Sequence, residues 1–158
     1  MADPTQASVT PRFNHVAMSV PAELLDPSGR ESLLGFYTHV FGWTEMPTMS
    51  EDGRRLVLRV HSNEQFVFLI ADDDPMRCPA GDHFGLSVST PSELDTVLER
   101  ALAYRESDPR VEVIDRQTED YGFLKLHSFY VRYRLPLMIE VQCYEWSGGV
   151  GPDSLPEG

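Results

Sequence analysis

The chain has 158 residues, 41% of them hydrophobic and 24% charged, with a formal net charge of -12. That length and balance fit one globular domain with a real core and leave no room for two large independent ones. The acidity excludes the basic footprint that nucleic acid requires, and no apolar run is long enough to span a bilayer.

Residues Met1 to Thr10 are polar and lack the apolar stretch of a signal peptide, so a cytoplasmic location is expected. Residues 1–11 read as a flexible arm. The first strand is expected at Asn14-His15-Val16-Ala17-Met18-Ser19-Val20, which alternates with period 2. A helix follows, with a capping box expected from Ser28 and Glu31 and apolar residues at helical spacing: Leu33, Leu34, Tyr37, Val40 and Phe41. Three further strands are expected over Trp43–Pro47, Arg55–Val60 and Gln65–Ala71. An acidic, proline-containing linker runs from Asp72 to Gly81.

The pattern then repeats. Asp82-His83-Phe84-Gly85-Leu86-Ser87-Val88 matches the first strand position for position: polar, His, apolar, tiny, long apolar, Ser, Val. Its helix starts with a second capping box, Thr90 and Glu93, with Pro91 between, and carries Leu94, Val97, Leu98, Ala101 and Leu102. Strands are expected over Val111–Asp115, Phe123–Arg132 and Leu137–Tyr144. The tail, 147–158, is rich in Gly and Pro and reads as disordered. The order is βαβββ twice, in modules of about 12–72 and 82–146 within one domain over 12–146. An internal repeat of this size outweighs single propensities.

Alternation assigns faces. Val16, Met18 and Val20 pack on the first helix, and Phe84, Leu86 and Val88 on the second. His15, Ala17 and Ser19 point away, as do His83, Gly85 and Ser87. In the last strand Ile139, Val141 and Cys143 share the helix side, leaving Met138, Glu140 and Gln142 opposite. The face away from the helices thus carries histidines beside tiny residues, which leaves room for a ligand. Cys78 falls in the linker; a disulfide to Cys143 stays open.

The repeat, its paired histidines and the segment Phe36-Tyr37 followed by Val40-Phe41-Gly42 resemble the vicinal-oxygen-chelate superfamily, which includes glyoxalase I, bleomycin-resistance proteins and extradiol dioxygenases. The resemblance spans about residues 12–145. It implies an α+β fold in which two tandem βαβββ modules form a cup-shaped mixed sheet with helices on the convex side. It also implies a divalent metal, Fe2+, Mn2+, Zn2+ or Ni2+, held by His15, His83 and Glu140. The fourth position of the glyoxalase I pattern falls on Phe68, which cannot ligate. Two His and one carboxylate with open positions suit non-haem Fe(II) chemistry. Tyr130 stands ten residues before Glu140, as in the dioxygenases, so Tyr130 and Glu140 are the catalytic candidates. Two departures stand out. His127 is close to Tyr130, where the dioxygenases have a distant His, and Tyr133-Arg134-Leu135-Pro136 replaces the usual Asp-Pro-Asp-Gly turn.

The resemblance implies a metal-dependent enzyme, dioxygenase-like or lyase/isomerase-like, acting on a small oxygenated substrate through bidentate chelation. The alternative is metal-free binding or sequestration of a drug-like or aromatic molecule, favoured by Phe66, Phe68 and Phe13. A small molecule is the expected partner, with a homodimer possible and neither nucleic acid nor membrane involved.

Overall fold

The computed structural model describes residues 10–154. Within the expected arm and tail, residues 1–9 and 155–158 lie outside the described residues. The first module comprises β1 (His15–Val20), α1 (Pro27–Phe41), β2 (Thr44–Glu45), β3 (Arg55–Arg59) and β4 (Phe66–Ala71). The second comprises β5 (His83–Val88), α2 (Pro91–Ser107), β6 (Val111–Asp120), β7 (Leu124–Tyr133) and β8 (Met138–Trp146). The strands form two four-stranded sheets, ordered β1-β4-β3-β2 and β5-β8-β7-β6. In each, the first and last strands of the module pair in parallel and the rest are antiparallel. The fold is α+β: tandem βαβββ modules forming a cup, with the helices on its convex side.

Local chemistry explains most boundaries. α2 starts with the expected capping box: Thr90 Oγ1 accepts from the Glu93 amide at 3.1 Å, and Glu93 reaches back to the Thr90 amide. α1 departs from expectation. Its cap is Asp26, whose carboxylate accepts from the Gly29 amide at 2.8 Å, with Pro27 at the first position. Ser28 and Glu31 are already inside the helix, because Asp is as good a cap as Ser and Pro is favoured directly after it. Gly29 is required by space: a Cβ there would lie 2.2 Å from the Glu23 carbonyl oxygen of the preceding 3₁₀ turn, Ala22–Leu24. Gly42 ends α1 in the left-handed region at φ 72°.

Two strands depart from expectation. β2 covers only Thr44–Glu45, since Trp43 is buried and stacked on Tyr37 and Pro47 opens a 3₁₀ turn. β6 continues to Asp120 through an irregularity between Ile114 and Gln117, which resets its pairing with β7.

A single core joins the modules. Phe36 of α1 stacks on Tyr133 at the end of β7, with ring centroids 4.6 Å apart, and meets Tyr104 of α2 edge-on at 5.2 Å. The Tyr37 hydroxyl donates to the Tyr133 carbonyl at 2.9 Å, and its burial pushes the phenol well above the ordinary range. The Tyr133 hydroxyl meets Ser32 Oγ at 2.6 Å and donates to Asp108 at 2.7 Å. Arg134 adopts φ 58° and donates to Ser32 at 3.0 Å. The turn Tyr133-Arg134-Leu135-Pro136 is therefore the junction between the modules. Cys78 and Cys143 are both free thiols: the Cys78 thiol donates to the Pro136 carbonyl, while Cys143 is buried. Among the described residues, no helix is long and apolar enough to cross a membrane.

Candidate functional site

Strand register places the site residues. Glu140 on β8 lies between Gly85 on β5 and Tyr130 on β7, and Tyr130 in turn faces Ile114 on β6. Side chains at paired positions share a face, so Glu140 and Tyr130 point away from α2, as His83 does two residues before Gly85. The tiny side chain of Gly85 keeps the β5 side of Glu140 open.

Three of these groups meet. His83 Nε2 lies 3.3 Å from one Glu140 carboxylate oxygen, and the Tyr130 hydroxyl donates to the other at 2.9 Å. The His83 and Tyr130 rings contact edge-on with centroids 5.2 Å apart. The second imidazole nitrogen, Nδ1, lies 2.8 Å from the Gly81 carbonyl, so the ring is held between an acceptor on each side. Glu140 is only 8% exposed, so these contacts are what make a carboxylate tolerable there. Burial and the Glu140 hydrogen bond both raise the Tyr130 phenol above its usual value.

His15 does not join them. Its ring stacks on Phe66 at 4.9 Å, nearly parallel, and its Nδ1 lies 2.6 Å from the Asn14 side-chain oxygen. Among the described residues no three His, Cys, Asp or Glu side chains gather where one ion could hold them. Phe68, opposite Ala17 on β1, occupies the place that Glu140 takes opposite Gly85. The first module thus brings one exposed imidazole and two phenylalanines where the second brings His, Glu and Tyr. The chain by itself brings two of the three expected ligands, His83 and Glu140, together and holds His15 apart from them.

The remaining polar candidates are engaged elsewhere. Arg132 grips Glu112 with two hydrogen bonds, which hold the Glu112 carboxyl below its usual range. Gln142 accepts from the Tyr144 hydroxyl at 2.6 Å. Glu64 and Gln65 sit in the exposed β3–β4 hairpin. His127 faces the helix side, as alternation predicts. There it contacts Glu145 and lies 2.8 Å from Thr118 Oγ1, beside Arg116, which is paired with Asp95 of α2. This network ties α2 to β6, β7 and β8.

Sequence reasoning missed a second feature. A cleft of about 470 Å³ opens between the modules, on the helix side of β5. Trp43, Phe41 and Phe66 of the first module and Phe84, Leu86 and Val97 of the second wall it. Alternation did mark Phe84, Leu86 and Val88 as helix-facing, yet all three stay partly exposed in the fold. Within its own sheet α2 packs more on β6 and β7 than on β5, so the β5 end of the sheet is left partly uncovered. The cleft thus runs along the open edge of β5, and none of His83, Glu140 and Tyr130 lines it.

No protein-family model matches the chain, and no curated protein sequence does. Solved structures do match. A glyoxalase family protein of Bacillus anthracis superposes with a TM-score of 0.60 at 16% identity, covering 89% of this chain and 100% of that one. A glyoxalase/bleomycin resistance protein/dioxygenase from Nocardioides gives 0.58 at 19% identity, covering 95% and 93%. A lactoylglutathione lyase from Agrobacterium tumefaciens gives 0.57 at 17% identity, covering 89% and 96%. With its repeat, sheet order and matched strands, the chain has the vicinal-oxygen-chelate fold.

Proposed function

We propose that the protein binds a small aromatic or drug-like molecule without a metal, in the manner of a sequestering protein. The observation that carries this reading is the separation of His15, stacked on Phe66, from the His83–Glu140 pair. The cleft between the modules supports it further, because its volume and aromatic walls suit a drug-sized ligand. The uncharged fluorescent probe N-phenyl-1-naphthylamine tests it. The expected result is saturable binding of one probe per chain that survives EDTA and His83→Ala and is lost on Leu86→Trp, which fills the cleft. Binding that needs an added metal, or that disappears in His83→Ala, contradicts the reading.

A second reading, a metal-dependent enzyme, is favoured by one observation. β1 and β5 are open sheet edges, and each carries its His at the same position. A second copy of the chain would then bring its own His15 toward His83 and Glu140. In that dimer the three residues would hold a divalent ion whose chemistry is Lewis-acid chelation of substrate oxygens. Tyr130 would hold Glu140 in place. A stoichiometric metal in a dimer, lost together with the dimer, is the result that would favour it.

A further inference from the structure

The cleft behind β5 has a charge unlike that of the molecule as a whole. The chain carries 25 acidic residues against 13 basic ones, yet among the described residues no Asp or Glu lines this cleft. Its one fully charged lining residue is Arg100 of α2, one turn beyond Val97, which lines it too. Other rim groups are the Asn14 and Gln65 amides and the His15 and His61 imidazoles. Arg30, Arg110, Arg116 and Arg132 each face a carboxylate. Among the described residues Arg100 faces none.

We infer that the cleft takes an apolar monoanion, a carboxylic acid whose hydrocarbon part lies against Phe66, Phe84 and Leu86 and whose carboxylate pairs with Arg100. This rests on the reading of the cleft as a ligand site and adds the class of ligand. The walls select an apolar body, because burying it removes hydrocarbon from water. The rim selects the sign. A guanidinium offers a planar pair of donors that matches a carboxylate. A cation would meet Arg100 without any compensating acid, and a neutral amide would leave the guanidinium to water. In a chain of net charge -12 the general field opposes anions. An acid-free wall with a free guanidinium is the local arrangement that admits one.

The test is displacement of bound N-phenyl-1-naphthylamine from the full chain by octanoate, octanamide and octylamine, which share a body and differ in head group. Octanoate is expected to displace the probe at about tenfold lower concentration than octanamide, the size of one charge-assisted contact at a partly exposed site. Octylamine is expected to be weakest. Arg100→Gln, an exposed change that leaves the core untouched, is expected to bring octanoate level with octanamide, each displacement being corrected for the probe's own affinity for that variant. Three results would overturn the inference: octanamide or octylamine displacing as well as octanoate, an octanoate preference that persists in Arg100→Gln, or a dimer whose second copy fills the cleft and excludes the probe. In the first two the probe still binds, so the small-molecule reading stands. Failure of the probe itself removes both.

Discussion

Glu140 shows how much one residue depends on its neighbours. A carboxylate 8% exposed in a central strand is stable because Tyr130 donates to one oxygen and His83 lies beside the other. Tyr130→Phe keeps the ring and deletes the donor. It is expected to destabilise the fold by about 1–3 kcal/mol, the range for leaving a buried acceptor short of a partner. Urea unfolding with an unchanged slope checks it. Asp108 makes a pH prediction. Hydrogen bonds from Arg110 and Tyr133 hold its carboxyl well below the ordinary range. A lowered folded-state pKa stabilises the fold above the unfolded value, roughly 3.9, and that stability is lost as pH falls through the folded value. Asp108→Asn is therefore expected to lower Tm at pH 7 and to flatten its fall below about pH 4. Thermal scans from pH 7 to 2 decide the matter, and a parallel shift at every pH would contradict it.

Elements carry the repeat, and here the structure tests what the chain discloses by itself. At the start of α1, Gly29→Ala forces a Cβ against the Glu23 backbone, whose oxygen sits 2.2 Å from its ideal position. Overpacking against backbone costs about 1–3 kcal/mol. The same change at exposed Gly35, where the nearest atom is the end of the Tyr104 side chain, is expected to cost far less, and chemical denaturation of the two variants compares them. The two first strands were legible because alternation and a matched His identify them twice. The Glu140 and Phe68 positions were legible because they fall at corresponding points of the last strands, and register puts both opposite a tiny residue. Other features depend on contacts that no local pattern contains. Asp26 as the cap of α1 competes with an equally good Ser28 two residues on. The brevity of β2 comes from Trp43 turning inward onto Tyr37. Tyr133 reads only as part of an unusual turn, and it is the ring on which α1 rests. The cleft belongs to two modules at once, so nothing in either repeat announces it.

At the scale of the molecule, duplication gave the two modules one frame, and their faces then took different chemistry. The second module keeps His, Glu and Tyr in contact; the first has an imidazole lying on Phe66 with Phe68 nearby. Between them the shared core leaves β5 partly uncovered and a cleft with aromatic walls. The central claim is that the chain binds its ligand without a metal. Calorimetric titration of Mn2+, Ni2+ and Zn2+ into protein stripped with EDTA and dialysed free of it tests this most directly, repeated with Fe2+ under anaerobic conditions. The account predicts no saturable site at one ion per chain or per site, and the same heats for the wild type and His83→Ala. One tightly held ion, lost in both His15→Ala and His83→Ala, would contradict it.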